Sequence, residues 1–215
     1  MQRIVNVSRS ALAALCLLLG QTLAGGEAQA ASARVLMLGD SLTAGFGLPI
    51  TESLPSQLEA VLKGQGLDVV ILNGGVSGDT TAGGLARVEW ALADNPAYAL
   101  VALGANDALR GLDTDRAFQN LDAIIGKLTA KGVKVMILGM LAPPNLGRDY
   151  GERFAAIFPK LAAKHRVPLY PFLLDGVALD PKLNQRDGIH PNADGVRIIV
   201  GRLAPLVKQL LETPG

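Results

Sequence analysis

The segment VLMLGDSLTAGFG, residues 35–47, begins with a run of apolar residues and passes abruptly into Gly-Asp-Ser. An apolar run without polar alternation is typical of a strand that is buried on both faces. Gly45 and Gly47 indicate a turn soon afterwards. Ser41 therefore stands at the carboxyl end of a predicted strand, where it is either the N-cap of the next helix or a nucleophile.

Four further apolar runs follow, and longer segments with helix start and stop signals separate them. Short buried strands that alternate with helices predict a parallel sheet with helices on both faces. We therefore expect an α/β fold, a three-layer α/β/α flavodoxin-like sandwich with a five-stranded parallel sheet. The predicted strands are residues 34–38, 68–73, 98–103, 133–140 and 167–172.

Three of the predicted helices have clear terminal signals. Thr51 and Ser53 precede one, with Gly64 and Gly66 after it, and a second opens at Thr114 and Asp115. The last begins after Pro191, which we expect in its first turn, and runs to about residue 212.

The first 30 residues predict a cleaved signal peptide. Arg3 and Arg9 precede a short apolar stretch at residues 11–20, and the small residues of AQAASA follow. A charged start, an apolar centre and an A-x-A site are the features of a secretory leader. A membrane-spanning helix needs about 20 apolar residues, more than this stretch offers. We predict cleavage near Ala30, export to the periplasm or the medium, no membrane span afterwards, and one domain over residues 31–215.

The predicted mature chain is electrically balanced and free of cysteine. Of the 20 Lys and Arg residues 18 remain, and of the 19 Asp and Glu residues 18 remain. A chain without net charge lacks the basic surface that binds nucleic acid, so no nucleic-acid partner is expected. Cys16 lies in the leader, and Leu15 stands where a lipidated cysteine needs a small neighbour. No disulfide, thiol nucleophile or thiolate metal site is therefore expected.

Polar clusters follow four of the five predicted strands, and ligands of parallel sheets bind beyond the carboxyl ends of the strands. We therefore expect the clusters to meet at one edge of the sheet. They are Gly-Asp-Ser at 39–41, GGVSGDT at 74–80, GANDALRG at 104–111 and DGIHP at 187–191.

Asp187 and His190 form a candidate pair within the last cluster. An aspartate three residues before a histidine can fold back in one turn and accept the Nδ1 proton, which leaves Nε2 free as a base. The alternative is an Asp-Gly turn with His190 as a cap. His165, the second histidine, precedes a strand near a helix end, where we interpret it as structural. Neither histidine has the spacing of a catalytic zinc site.

Candidate donors for an oxyanion occur in three clusters. They are the backbone N–H groups of Ser41 and Gly78 and the side-chain amide of Asn106. Glycine and asparagine are also common in ordinary turns, so each residue alone fits a structural role. Asp79 and Asp107 are interpreted as helix caps or loop braces.

Four blocks resemble, in order and spacing, those of the GDSL, or SGNH, hydrolases. The resemblance covers residues 34–211, and the best match is to the secreted arylesterases and the thioesterase I/lysophospholipase I type. It implies the SGNH hydrolase fold and no metal or organic cofactor. The blocks are Gly-Asp-Ser-Leu at 39–42, Ser-Gly-Asp-Thr at 77–80, Gly-Ala-Asn-Asp at 104–107 and Asp-Gly-Ile-His at 187–190.

The resemblance also implies a role for each candidate residue. Ser41 is then the nucleophile of a serine esterase, and His190 is the base that Asp187 orients. The Ser41 amide, Gly78 and Asn106 are the donors of the oxyanion hole. The implied reaction is acyl transfer to water through an acyl-Ser41 intermediate.

Apolar side chains after the third and fourth strands are predicted to wall the acyl site: Leu109, Leu112, Leu141, Pro143, Pro144, Leu146 and Tyr150. Such walls suit short-to-medium acyl and aryl esters. The resemblance adds acyl thioesters and lysophospholipids, so the expected partner is a small ester or thioester, lipid-derived in some cases. One alternative is a carbohydrate acetylesterase of the same family. The other is a non-enzymatic flavodoxin-like binding module, although both common phosphate-binding glycine motifs are missing.

Overall fold

The computed structural model describes residues 32–213, so the predicted signal peptide lies outside the described residues. Five parallel strands form one sheet in the order β2-β1-β3-β4-β5. This confirms the predicted α/β class, strand number and parallel sheet. The strands are β1 (Ala33–Gly39), β2 (Val69–Gly75), β3 (Tyr98–Ala102), β4 (Lys134–Leu138) and β5 (Leu169–Tyr170).

Helices cover both faces of the sheet. Helices α2 and α8 pack against each other on one face, and α3, α5 and α7 pack side by side on the other. The described helices are α1 (Ser41–Ala44), α2 (Leu54–Gly64), α3 (Thr81–Ala91), α4 (Ala105–Leu109), α5 (Thr114–Ala130), α6 (Arg148–Ala155), α7 (Ile157–His165) and α8 (Ala193–Glu212), with short 3₁₀ turns at Ile50–Glu52, Leu92–Asp94 and Pro144–Leu146. Within residues 32–213, no helix has the length and apolar character needed to cross a membrane.

The strands read as continuous apolar runs because both of their faces are buried. Val35, Met37 and Leu38 of β1 are inaccessible to solvent, and the same holds for Leu100 of β3. A half-exposed sheet would instead alternate apolar and polar residues. The buried runs therefore fix the sheet as the middle layer.

Two predicted elements differ from those observed. Strand β5 has only two residues, because Pro168 and Pro171 flank it and neither has an N–H for the ladder. Helix α8 begins at Ala193, after the N-cap Asn192, whose side chain accepts from the Gly195 N–H. Pro191 therefore precedes the cap and does not lie in the first turn as predicted.

Strand β1 lies inside the sheet, with β2 on one side and β3 on the other. The chain leaves β1 toward β2 and later returns to the opposite side, which opens a crevice beyond the carboxyl end of β1. The segments after β1, β2, β3 and β5 all reach this edge. Their polar clusters therefore surround one crevice.

Candidate active site

Ser41 is the first residue of α1, directly beyond β1. The N-cap of that helix is Asp40, whose Oδ1 accepts the Leu42 N–H at 3.0 Å. The interpretation of Ser41 as a helix cap is therefore wrong, since its neighbour fills that position. The Ser41 hydroxyl is left free for another partner.

That partner is His190. The Nε2 atom of His190 lies 2.9 Å from the Oγ of Ser41, and its Nδ1 atom lies 2.7 Å from Oδ2 of Asp187. The other oxygen of Asp187 accepts the backbone N–H groups of Ile189 at 3.0 Å and His190 at 3.1 Å. The carboxylate thus folds back onto the imidazole within one turn, as the spacing predicted.

Hydrogen bonds keep the Asp187 carboxyl ionised. Partial burial by itself raises its pKa, but the His190 side chain and the N–H groups of His190 and Ile189 outweigh this effect and hold the pKa below its ordinary value. An ionised Asp187 accepts the Nδ1 proton of a neutral imidazole. The lone pair of Nε2 then faces the Ser41 hydroxyl.

The three predicted oxyanion donors line the same groove as Ser41 and His190. Gly78 has φ +85°, a left-handed conformation that favours glycine, and its carbonyl accepts from Nη2 of Arg110 at 2.9 Å. Among residues 32–213, the backbone N–H groups of Ser41 and Gly78 donate to no other group. Both remain available to a ligand in the groove, together with the Asn106 amide.

Asp40 is a site residue that the sequence analysis did not single out. It is fully buried, and its Oδ2 lies 3.4 Å from Nδ2 of Asn106, which leaves the second amide hydrogen for a ligand. Burial raises its pKa to about 6, although the Leu42 N–H, the charge of His190 and the Asn106 amide oppose this rise. The signal that could have found it is an acidic residue at the end of a wholly buried strand.

The remaining acidic candidates brace the loops, as predicted. Asp107 accepts both the N–H and the hydroxyl of Thr81, at 2.8 and 2.6 Å. Asp79 pairs with Arg87 at 2.6 Å, and Arg87 also donates to the Gly39 carbonyl at 2.8 Å. Both carboxylates therefore tie helix α3 to the loops around the crevice.

His165 lies at the end of a helix and outside the groove. His165 is the last residue of α7, and its Nε2 lies 2.7 Å from Oδ1 of Asp122 on α5. It is a structural residue of the helical layer formed by α3, α5 and α7. Nowhere in residues 32–213 do three or more His, Cys, Asp or Glu side chains form a group that could hold a metal ion.

The groove beside Ser41 has a volume of about 430 Å³ and mostly apolar walls. Four of the predicted wall residues line it: Leu109, Leu141, Pro143 and Pro144. Leu112, Leu146 and Tyr150 do not, and the Tyr150 hydroxyl instead donates to the Leu112 carbonyl at 2.8 Å. Further apolar side chains that were not predicted also line the groove, among them Phe46, Met140, Phe172, Leu174, Leu179 and Ile189.

Residues 37–198 match the family described as the GDSL-like lipase/acylhydrolase family. The chain belongs to this family. It is 41% identical to an arylesterase of Vibrio mimicus and 39% identical to the esterase TesA of Pseudomonas aeruginosa, each over 85% of this chain and 92% of the relative. It is 37% identical to thioesterase 1/protease 1/lysophospholipase L1 of Escherichia coli, over 85% and 86%.

Solved esterases share the fold. The crystal structure of TesA, 38% identical, superposes with a TM-score of 0.79 over 82% of this chain and 99% of that one. The psychrotrophic esterase EstA from Pseudoalteromonas sp., solved in a form inhibited by monoethylphosphonate, is 30% identical, with a TM-score of 0.80 over 85% and 100%. The family, the fold and the enzyme class of carboxylic ester hydrolase are thus confirmed.

Proposed function

We propose that Ser41, His190 and Asp187 form the catalytic triad of a serine esterase, with the Ser41 and Gly78 N–H groups and the Asn106 amide as its oxyanion hole. One observation carries this proposal. His190 lies within hydrogen-bond distance of both Ser41, at 2.9 Å, and Asp187, at 2.7 Å, at the wall of an apolar groove.

In the acylation step, Ser41 Oγ attacks the ester carbonyl while its proton moves to Nε2 of His190. The carbonyl π electrons move onto oxygen, where the three donors stabilise the negative charge. The intermediate collapses, the bond to the leaving group breaks, and the Nε2 proton passes to the departing alcohol or thiol. Asp187 stabilises the transient imidazolium without taking the proton.

Deacylation repeats the same steps with water. His190 removes a proton from the water, whose oxygen attacks the acyl-Ser41 carbonyl. The same donors hold the second oxyanion. Collapse releases the carboxylic acid and returns the proton to Ser41 Oγ, so the cycle uses only protein groups and water.

The groove favours short-to-medium acyl chains and aryl groups as substrates. Its walls bring Leu, Phe, Pro and Ile side chains to the nucleophile, whereas His190 is the one ionisable side chain among residues 32–213 that lines it. The names of the relatives, arylesterase and thioesterase 1/protease 1/lysophospholipase L1, support esters, thioesters and lysophospholipids as the classes to assay.

The decisive experiment treats the protein and its Ser41→Ala variant with a fluorophosphonate probe and weighs both by intact-mass spectrometry. We expect one adduct on the parent and none on the variant, together with loss of p-nitrophenyl butyrate hydrolysis in the variant. A folded parent that takes no adduct would rule out the triad. Faster hydrolysis of acetylated sugars than of aryl esters would favour the carbohydrate acetylesterase.

We also propose that residues 1–30 direct export and are removed, which leaves residues 31–215 as the single-domain periplasmic or secreted enzyme. The charged start, short apolar stretch and small residues before Ala30 support this. The test is the mass of the protein recovered from the periplasm and medium of a bacterial host. A full-length mass would contradict cleavage.

A further inference from the structure

Gln185 joins the loop that follows Ser41 to the loop that carries His190. Its Nε2 atom donates to the carbonyl oxygen of Phe46 at 2.7 Å and to that of Pro191 at 3.0 Å. Both hydrogens of one amide group are therefore in use, one on each loop. The bond to Phe46 spans 139 positions of sequence, so it fixes parts of the chain that no local structure connects.

The backbone holds Gln185 firmly against the His190 loop. The Gln185 N–H donates to the His190 carbonyl at 2.8 Å, and the preceding residue, Asn184, forms an antiparallel bridge with Pro191. The side chain therefore extends from a fixed base toward the Ser41 loop. A displacement of Phe46 relative to this base would break the 2.7 Å bond.

Phe46 gives this bond a second effect on His190. Its ring lies against the imidazole, with the ring centroids 4.5 Å apart and the planes tilted by 34°. Gly45 and Gly47 flank it with φ values of +80° and +73°, so the backbone alone leaves the loop a wide choice of conformations. By holding the Phe46 carbonyl, Gln185 also keeps the ring on the imidazole.

The two reacting side chains need such a tie. Ser41 starts a helix of only four residues, and His190 lies in a loop. Proton transfer requires them within about 2.6–3.2 Å, and a displacement of about 1 Å can cost about 100-fold in rate. We propose that Gln185 is a positioning residue that sets the distance between Ser41 and His190; this rests on the proposed roles of those two residues.

Two substitutions at Gln185 test the inference. Gln185→Glu keeps the shape of the side chain, and Gln185→Met keeps its length. Both variants lose the two N–H donors, but only Gln185→Glu adds a negative charge. An effect that both variants share is therefore due to the lost donors. We expect kcat and the rate of fluorophosphonate labelling to fall together by about 10- to 100-fold. Since Gln185 does not line the groove, KM should stay within about twofold.

Gln57 provides the matched control. Its Nε2 also donates to a backbone carbonyl at 2.7 Å, that of Thr51, but on the surface of α2. Gln57→Glu should leave kcat and the labelling rate unchanged. Thermal unfolding of all variants separates a loss of folded protein from a loss of rate.

A substitution on the opposite loop tests the same bond from the other side. A Cβ on Gly47 would lie 2.1 Å from Oε1 of Gln185, so Gly47→Ala must displace this amide. We expect Gly47→Ala to lower kcat as the Gln185 variants do. A protein that carries both Gly47→Ala and Gln185→Met should be no slower than the slower of the two single variants, because both changes break the same bond. Gly132→Ala is the control, because Gly132 has φ +76° with nothing within 4 Å of the added carbon.

Each outcome decides the inference. Folded Gln185→Glu and Gln185→Met proteins with parental kcat and labelling rate would overturn it, even if they melt at lower temperature. If both Gln185 variants fail to fold, a folded Gly47→Ala protein with parental kcat and labelling rate would overturn it in the same way. A parent that the probe does not label would instead overturn the proposed triad.

Discussion

The Oγ atom of Ser41 lies 2.9 Å from the Nε2 atom of His190, although 149 positions separate the two residues. Ser41 follows β1, and His190 lies in the segment after β5, which is three places away in the sheet. All five strands point the same way, so both segments emerge at one edge. Parallel topology thus brings the proposed nucleophile and the proposed base together.

Asp187→Asn should abolish most activity while the fold stays intact. The asparagine oxygen can still accept the Ile189 and His190 N–H groups, but its amide cannot hold the imidazole in the tautomer that His190 needs. We expect kcat to fall by about 10³- to 10⁴-fold with little change in melting temperature. Steady-state hydrolysis of a p-nitrophenyl ester and thermal unfolding measure the two effects.

Asp122→Asn is the matched control for that experiment. Asp122 contacts His165 at 2.7 Å, the same distance that joins Asp187 to His190, but neither Asp122 nor His165 lines the groove. Its loss should leave kcat unchanged. An equal loss of kcat in Asp187→Asn and Asp122→Asn would mean that the loss comes from a change in the whole protein and not from the tautomer of His190.

Asn106→Ala should slow the chemical step without weakening substrate binding. The variant lacks one of the three proposed donors to the oxyanion, and the loss of such a donor typically costs about 10²- to 10³-fold in kcat. Asn73→Ala removes an exposed asparagine whose side chain accepts the nearby Gly75 N–H, and its kcat should match the parent. A raised KM with unchanged kcat in Asn106→Ala would assign Asn106 to binding instead.

Asp40→Asn should make stability less dependent on pH. The Asp40 pKa is about 6 in the folded protein and near 3.8 in the unfolded chain, so the folded state holds the proton between these values. The Asp40 carboxyl therefore contributes a loss of stability on the order of 2–3 kcal/mol as pH rises through this window, and the variant lacks this contribution.

The comparison needs chemical unfolding of both proteins at about pH 4 and about pH 7. We expect the difference in unfolding free energy, variant minus parent, to be larger at the higher pH. An equal difference at both pH values would contradict the burial argument. The same substitution should lower kcat, because Asn106 loses the carboxylate that orients its amide.

Leu179→Gly should shift the acyl-chain preference and slightly stabilise the protein. Leu179 lines the groove, is 81% exposed and has φ +66°, which costs a branched side chain about 1–2 kcal/mol. Glycine removes this strain but adds about 0.5–1 kcal/mol of unfolded-state entropy, so the net gain is below about 1.5 kcal/mol.

The loss of the Leu179 side chain should lower kcat/KM for octanoyl esters by about 3- to 10-fold, because the chain buries fewer methylenes. Acetyl esters should change much less. Trp90→Ala removes an equally exposed apolar side chain from α3, outside the groove, and should leave the chain-length profile unchanged. An identical profile in Leu179→Gly would place the acyl chain elsewhere.

Local sequence signals determined the fold class and much of the candidate site. Apolar runs such as residues 34–38 have no polar alternation, and only a sheet covered on both faces buries such runs. The contact between Asp187 and His190 was also predictable, because it spans three residues and closes within one turn. The short β5 could have been foreseen from the prolines at 168 and 171.

Only the tertiary structure decided the relations between loops. It placed Asp40 beside Asn106, Phe46 and Leu179 in the groove walls in place of Leu112 and Tyr150, and Gln185 across the Ser41 and His190 loops. These contacts join segments up to 139 positions apart, and spacing along the chain carries no information about them. The sequence determined which chemical groups stand at each strand end, and the packing of the loops determined which of those groups meet.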